Sequence, residues 1–500
     1  MQQIKDLFQK NITRTIEEVI KVDQADQETV KSELEEYIAT DSIKTHYHEV
    51  LAAYHSAKNN PTEGIGVWIS GFFGSGKSSF AKNLGYILAN REVLGQKASD
   101  IFSNQVVDSK IKDFLTLINI DIPTHAVIFD VSMDRGVRTA NERITEVMYK
   151  VLLRELGYAE DFDLADLEMG LEADGLLPDF EKRFEKKYKQ PWTKRRKIGR
   201  VLNEASSILS EIDPKTYPQA DSWVRGLGVK DDDGNIKGRA DISANKLAEI
   251  SFELMTRRQA GKALVFVVDE VGQFVSRSVD RMLDLQAVVQ AFGKEGKNRV
   301  KAKKAVAPSW VVVTSQEKLN EIVDALDSKK IELARLQERF PVRIDLAPAD
   351  IAEITSKRVL QKNSKAEKIL AELFENNESR LSSYTKLERT SRKVSLNKKE
   401  FIDLYPYLPY HIDLCIDIMS GIRLQPGAQR HIGGSNRTII KQAQQMLISE
   451  KVNLGSEKIG ALVTLDKVYE LVDGNLSTEK RKDISDIIKT FAAKPFYAKV

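Results

Sequence analysis

The sequence has very little cysteine, because Cys415 is the only one in the chain. An internal disulfide is therefore impossible, which is typical of proteins that work in a reducing compartment. Cys415 is surrounded along the chain by Ile412, Leu414, Ile416 and Ile418. This setting predicts a buried, inert thiol rather than a catalytic nucleophile.

The sequence also lacks long apolar runs and an excess of one charge. No apolar stretch approaches the about 20 residues that cross a bilayer. The first residues, Met1 to Asp6, lack the apolar core of a signal peptide. The formal net charge of +3 is nearly balanced, which excludes a polybasic nucleic-acid binder over the whole chain. Together these absences predict a soluble cytoplasmic protein without a membrane partner.

The motif that carries most information is Gly71-Phe72-Phe73-Gly74-Ser75-Gly76-Lys77-Ser78, a complete G-x-x-x-x-G-K-S pattern. The apolar residues 66–70 before it predict a buried strand. Residues 79–90 after it predict an amphipathic helix. This context, a strand before and a helix after, is the one that a phosphate-binding loop requires, and it makes a chance match improbable.

The chemistry expected of this loop follows from its residue types. Glycines let backbone N–H groups turn inward around an anion, and the helix that follows, beginning near Ser79, adds its positive dipole end. Lys77 can reach the terminal phosphates of a nucleotide, and the Ser78 hydroxyl can hold Mg²⁺. We therefore expect residues 71–79 to bind the nucleotide and Ser78 to be a metal ligand.

A second motif lies at residues 264–270, where five apolar residues are followed by Asp269 and Glu270. The apolar run predicts a strand buried on both faces, as in a parallel sheet covered by helices. Open sheets of this kind bind ligands at the carboxyl ends of their strands. Asp269 is then the expected Mg²⁺ partner and Glu270 the base that polarises the attacking water. A strand end followed by a solvated turn would explain the motif equally well if it stood alone.

The remaining pattern predicts an α/β fold with a parallel sheet flanked by helices. Further strands are expected at 126–130, 310–316 and 342–346, the second of which ends in polar residues. We expect four regions: an N-terminal helical segment at 1–60, a P-loop core at 61–346 with a helical insertion at about 140–250, a helical lid at 347–450, and the start of a further helical region at 451–500.

Three polar stretches permit more than one interpretation. In the insertion, residues 181–197 mix basic residues with Phe184, Tyr188 and Trp192. This mixture could contact a nucleic-acid backbone and stack on bases. The favoured interpretation is a solvated helix whose aromatic residues pack inward. Residues 294–304 are rich in lysine and glycine and predict a solvated loop, with contact to a polyanion as the alternative. Residues 364–397 are polar and are expected to interrupt the helices that follow Pro348.

The order of these elements resembles that of AAA+ ATPases, which combine a phosphate loop, an Asp-Glu strand, a sensor strand with a polar end and a helical lid. Gln316 stands at the position of the first sensor, where the family usually has Asn, Thr or Ser, so Gln is a departure. Arg339 resembles the arginine finger of the initiator-type members. Arg437 resembles the second sensor. The resemblance implies catalytic roles for these three residues beside Lys77 and Glu270.

More narrowly, the chain resembles the large P-loop ATPases of BREX phage-exclusion systems, the BrxC/PglY family. The similarity rests on residues 4–8, 20–24, 66–78, 310–317 and 405–410, together with 433–437. Members of this family are much longer, so the resemblance implies an N-terminal fragment. It also implies ATP and Mg²⁺ as cofactors, a homo-oligomer, and work beside a BREX methyltransferase and other system components. DNA would be contacted directly or through those partners.

Two functions of other kinds stay open at this point. One is a scaffold that binds ATP to order an assembly and hydrolyses it negligibly, against which Glu270 argues. The other is a motor that remodels or loads DNA. A phosphate-release assay distinguishes the scaffold from the enzyme, and stimulation of turnover by DNA would favour the motor.

Overall fold

The structure is a computed structural model centred on a five-stranded sheet. It describes residues 2–14, 16, 22, 25–71, 74–131, 143–197, 201–227, 242–276, 278–325, 336–385, 396–423, 439–473, 476 and 478–491. The sheet strands are β1 (Gly66–Gly71), β4 (Thr124–Asp130), β5 (Ala263–Asp269), β6 (Trp310–Ser315) and β7 (Val342–Leu346). All neighbouring pairs are parallel and the order is β4-β5-β6-β1-β7. A short antiparallel pair, β2 (Glu92–Val93) and β3 (Gln96–Lys97), lies apart from this sheet.

The strands at 66–71, 124–130, 263–269, 310–315 and 342–346 agree with the predicted ones to within two residues. Every residue of β1, β5 and β6 is buried, because helices cover both faces of a parallel sheet. The edge strand β7 instead alternates buried and exposed residues. The α/β class with a parallel sheet flanked by helices is thus confirmed, and the arrangement is compatible with a P-loop fold.

Helices account for most of the rest of the described chain. In the first part these are α1 (Gln27–Glu35), α2 (Asp41–Ser56), α3 (Lys77–Ala89), α4 (Ala98–Val106), α5 (Ser109–Asp121), α6 (Ile144–Glu155), α7 (Phe162–Ala173), α8 (Leu177–Tyr188), α9 (Trp192–Arg195), α10 (Val201–Ile212) and α11 (Ser222–Gly226). Several begin at a side-chain cap, such as Thr40 before α2 and Asp108 before α5, whose oxygens accept a first-turn N–H.

The second part continues with α12 (Ala244–Arg258), α13 (Val271–Val275), α14 (Val279–Lys301), α15 (Leu319–Ala325), α16 (Pro348–Arg358), α17 (Ser364–Tyr384), α18 (Lys398–Leu404), α19 (Pro409–Arg423), α20 (Ile439–Ile448), α21 (Leu465–Val472) and α22 (Thr478–Thr490). Short 3₁₀ helices span Ile4–Leu7 and Leu454–Ser456. No helix in the described ranges is both long and apolar enough to span a membrane.

Three hydrophobic clusters organise these elements. The largest surrounds the sheet and includes residues of α1 and α2. A second joins the N-terminal residues Ile4 and Leu7 to the helices after β7, through side chains such as Leu360 and Leu447. The start of the chain therefore packs against the C-terminal helices, whereas α1 and α2 pack against the sheet.

The third cluster belongs to the insertion and buries its aromatic side chains. Phe180 and Phe184 are fully buried, Trp192 is almost fully buried, and Tyr188 is partly buried against them. These rings pack at centroid distances of 4.7 to 6.1 Å. The prediction that Phe184 and Tyr188 pack inward is correct, and the buried rings of Phe180, Phe184 and Trp192 are not available to stack on bases.

Two predicted interruptions are wrong. Residues 294–301 are not a loop but the last turns of α14. Gly293 and Gly296 lie inside this helix because other backbone passes close by: a Cβ at Gly293 would overlap the carbonyl oxygen of Glu63, and one at Gly296 would lie 3.1 Å from Pro308 Cα. Of the predicted interruption at 364–397, residues 364–384 instead form α17, a helix of 21 residues, and residues 386–395 lie outside the described residues. Only a few apolar residues of this helix face the core, so its largely polar composition hid the helical pattern.

Candidate functional site

The phosphate loop connects β1 to α3 at the carboxyl end of the sheet. Gly74 and Gly76 have φ angles of +81° and +93°, which glycine adopts without strain. Gly76 is the N-cap residue of α3, so the loop leads directly into the first turn of a helix, where N–H groups lack partners within the helix. Gly71 approaches the loop closely, since a Cβ there would lie 2.6 Å from Ser75 Oγ. The described part of the loop thus has the curvature that an anion-binding turn needs.

Two side chains of the loop are buried at this turn. Ser75 is 3% exposed, and its hydroxyl has no hydrogen-bond partner among the described residues. Lys77 is 5% exposed, and its charge acts on both Asp269 and Glu270, lowering the pKa of each. A buried cation and an unpaired buried hydroxyl are features that a bound phosphate would satisfy.

Asp269 ends β5 and lies beside the phosphate loop. Its carboxylate is 4% exposed and accepts hydrogen bonds from the hydroxyls of Thr314 and Ser78. Burial raises the pKa of Asp269, and these two hydroxyls and Lys77 oppose that shift. The two residues expected to bind Mg²⁺, Ser78 and Asp269, are therefore in direct contact, although they belong to two motifs that lie far apart in the sequence.

Glu270 follows Asp269 in a backbone conformation that is uncommon for a residue with a side chain. Its φ of +58° and ψ of +23° place it in the left-handed region. Such strain concentrates where a side chain must be held in one direction. Burial, and then the nearby Asp269 charge, raise the pKa of Glu270 to about 7. Its Oε2 is buried without a hydrogen-bond partner among the described residues, so the carboxylate has an acceptor position to offer.

Thr314 is a residue of this site that the sequence analysis did not assign. Its hydroxyl donates to Asp269 Oδ1 and accepts the N–H of Glu270 at 2.9 Å. One fully buried side chain therefore fixes both acidic residues. The polar end of the strand at 310–316 was visible in the sequence, but the contact depends on β6 lying next to β5 in the sheet.

Gln316 lies just beyond β6, and its side chain hydrogen-bonds to the carboxyl group of Glu270. The turn that carries it is fixed by Trp68, whose indole N–H donates to the carbonyl of Glu317 at 3.2 Å. The structure thus places this predicted sensor beside the predicted base. Asp130, at the end of β4 and paired in register with Asp269, adds a negative charge that raises the pKa of both acidic residues.

Arg339 lies at the opposite end of the sheet. It precedes β7, and its Nη1 pairs with Glu63 Oε2 at 3.1 Å, where Glu63 precedes β1 and also pairs with Lys297 at 3.2 Å. The length of β1, about 20 Å for six residues, separates this end from the phosphate loop. The structure therefore does not bring Arg339 to the phosphate loop of its own chain. Its partner Glu63 lies 276 positions away in the sequence.

Three predicted site residues, Phe72, Phe73 and Arg437, lie outside the described residues. Ser79 lies in the first turn of α3 and is half-buried. Elsewhere in the described ranges, no cluster of three or more His, Cys, Asp or Glu side chains has the arrangement of a metal site. A Mg²⁺ site with one hydroxyl and one carboxylate does not need such a cluster, because phosphate oxygens and water complete the coordination.

No protein-family model matches the chain, and no solved structure matches it.

Proposed function

We propose that this protein is a Mg²⁺-dependent ATPase. The observation that carries the proposal is the contact between the Ser78 hydroxyl and the Asp269 carboxylate, at the sheet edge where Lys77 is buried. A hydroxyl and a carboxylate are hard oxygen ligands suited to Mg²⁺, and a buried lysine beside them suits phosphate oxygens. The sequence has no guanine-reading motif after residues 314–317, and the preference for adenine rests on the resemblance to AAA+ proteins.

Hydrolysis needs a base as well as a binding site, and Glu270 is proposed for that role. Mg-ATP, when bound, would supply an activated terminal phosphate. Glu270 would accept the proton of a water held at its unpaired Oε2, and a pKa raised to about 7 suits proton acceptance near neutral pH. Thr314 and Gln316 would keep its backbone and side chain in place.

Two variants separate binding from chemistry. We expect Lys77→Ala to lose tight ATP binding, because a buried cation facing the phosphates is removed. We expect Glu270→Gln to retain binding while turnover falls by about 10²-fold or more, as for a lost general base. Glu317→Gln, an exposed carboxylate in the turn beyond β6, is the matched control and should hydrolyse normally. Equilibrium binding and steady-state phosphate release are the measurements.

The outcomes discriminate between the proposed activities. Equal ATP affinity in Lys77→Ala and wild type would refute the nucleotide site. Wild-type turnover in Glu270→Gln would refute the role of that carboxylate. Tight ATP binding with negligible phosphate release in wild type would instead support a nucleotide-gated scaffold.

We further propose that Arg339 acts on the site of a neighbouring subunit in a homo-oligomer. Its position at the far end of the sheet excludes its own phosphate loop, and a guanidinium can neutralise charge that develops on a transferred phosphate. In the isolated chain Glu63 holds this guanidinium, so assembly would have to draw it away or share it. We expect Arg339→Ala to bind ATP normally but to hydrolyse it slowly.

Mixing experiments test the action between subunits. Arg339→Ala mixed with Glu270→Gln should regain activity, because one interface then contains both an intact arginine and an intact glutamate. Normal hydrolysis by Arg339→Ala alone, or a dead mixture in which exchange of subunits has been demonstrated, would refute the proposal.

The biological role that we propose is in BREX defence against phage, beside the methyltransferase and other components of such a system. This rests on the resemblance of residues 66–78 and 310–317 to that family. A strain that carries the system should lose protection against phage when Lys77 is replaced by Ala in the genomic copy, with Glu317→Gln as control. Full protection with Lys77→Ala would show that ATP binding by this chain is not needed for defence.

A further inference from the structure

Helices α8 and α9 of the insertion concentrate positive charge in a chain that is otherwise nearly balanced. Residues 182–197 contain nine lysines and arginines and one acidic residue, Glu185. A dense run of this kind is either neutralised by the fold or left facing solvent, and the structure shows which cations belong to each group.

The fold neutralises four of the nine. Their ion pairs are Arg183 with Asp179 at 2.8 Å, Lys187 with Glu211 at 2.6 Å, Arg195 with Glu204, and Arg196 with Glu168 at 2.6 Å. The last pair is almost completely buried and lies beside Trp192, whose indole N–H donates to the same carboxylate. The Arg183 pair lies within α8, whereas the other three pairs join different helices of the insertion.

The other five lie in or directly after α8 and α9, and we call them the lysine face: Lys182, Lys186, Lys189, Lys194 and Lys197. All five are exposed, and none pairs with an acidic side chain in the described part of the chain. On α8, Lys182 and Lys186 lie one turn apart on the side opposite Phe180 and Phe184, which are fully buried. The aromatic packing therefore fixes the helix with its lysines outward.

The burial of the aromatic residues also restricts what the face can recognise. Single-stranded nucleic acids are usually bound by aromatic side chains on which bases stack. Here Phe184 and Trp192 are inside the insertion. A lysine ammonium is a compact point charge, which suits contact with phosphate groups. It offers neither a ring on which bases stack nor the two-pronged donor geometry of arginine.

We infer that the lysine face binds the phosphate backbone of double-stranded DNA without reading its sequence. The duplex presents a regular row of phosphates with its bases already stacked, so charge alone suffices for contact. The inference does not depend on the ATPase proposal. The helices that carry the lysine face pack around one hydrophobic cluster, and the sheet that carries the proposed nucleotide site packs within another.

The test replaces all five lysines by Gln in the full chain and measures binding of a fluorescent DNA duplex over a salt series. If all five contact phosphates, wild-type affinity should follow salt with a log–log slope of about −4.5 and fall by roughly 500-fold between about 50 and 200 mM salt. The variant should bind at least about 100-fold more weakly at the low-salt end, with a nearly flat salt dependence.

A control variant carries the same loss of charge elsewhere. It replaces five other exposed lysines that have no described acidic partner, namely Lys110, Lys112, Lys365, Lys368 and Lys399. This control should bind DNA with the wild-type slope, and both variants should have the circular dichroism spectrum and melting temperature of wild type.

Loss of binding in the lysine-face variant alone would support the inference. It would be overturned if wild type fails to bind the duplex at low salt, if both variants lose binding equally, or if the lysine-face variant binds like wild type. Preference for single-stranded DNA, duplex RNA or vesicles of phosphatidylcholine and phosphatidylserine over the DNA duplex would equally overturn it.

Discussion

Thr314 offers a sharp test of the acidic site, because one hydroxyl joins both carboxylate residues. Replacing it by Val keeps the shape of the side chain but removes the donor to Asp269 and the acceptor for the Glu270 N–H. A hydrogen bond to a charged group contributes about 1.5–3 kcal/mol, and a buried N–H left without a partner costs about 1–3 kcal/mol. Since both losses occur at one buried atom, we expect Thr314→Val to destabilise the protein by about 2–4 kcal/mol.

The same substitution should lower turnover more than it lowers ATP affinity. Lys77 and the phosphate loop remain intact, but Glu270 loses the contact that holds its left-handed backbone. We expect kcat to fall by about 10- to 100-fold, equivalent to about 1.4–2.8 kcal/mol. Urea denaturation measures the stability, and phosphate release measures the rate. Thr314→Ser keeps the hydroxyl and is the matched control.

The pH dependence of the stability loss provides a further check. The Thr314 hydroxyl favours the ionised form of Asp269, so its removal raises the pKa of that carboxyl further. A carboxyl group whose pKa is higher in the folded state than in the unfolded state makes the protein more stable as the pH falls from neutral through that pKa. The deficit of Thr314→Val should therefore shrink in acid. Wild-type turnover, or a deficit independent of pH, would refute this account of the site.

Two more predictions concern packing and burial. Gly293→Ala should destabilise the protein by about 1–3 kcal/mol despite the higher helix propensity of Ala, because its Cβ would overlap the rigid carbonyl of Glu63. The control is Gly170→Ala, in a helix where a Cβ meets nothing within 4 Å, and it should be neutral or stabilising. Equal effects of the two substitutions in urea denaturation would contradict the close approach at Gly293. Lys362 has its pKa lowered by burial to about 7, with its ammonium bound to the carbonyls of Leu360 and Asp403. The unfolded chain therefore holds the proton more tightly than the folded one. The stability of wild type relative to Lys362→Met should rise by about 1.4 kcal/mol per pH unit between about pH 7 and 10 and stay constant below that range. If urea denaturation gave a stability difference between the two proteins that did not change across this range, the amine would not be desolvated.

Local patterns in the sequence were enough to predict the strands and the phosphate loop. Each sheet strand is a short apolar run whose burial follows from its own composition, and residues 71–78 carry the complete G-x-x-x-x-G-K-S pattern in consecutive positions. The acidic pair after β5 could be recognised for the same reason. The inward packing of Phe184 and Tyr188 was also predictable, because four residues separate them on one helix.

Tertiary structure decided the contacts between these local pieces. The sheet order places β6 beside β5, which brings Thr314 to Asp269 across 45 positions of the sequence. Arg339 pairs with Glu63 across 276 positions, a contact that no local pattern encodes. Gly293 illustrates the reason: glycine and lysine in its neighbourhood predict a loop, yet the absence of a Cβ is what allows a helix to pass the backbone of Glu63. Local propensity is a property of neighbouring residues, whereas close approach depends on segments that meet only after the chain has folded.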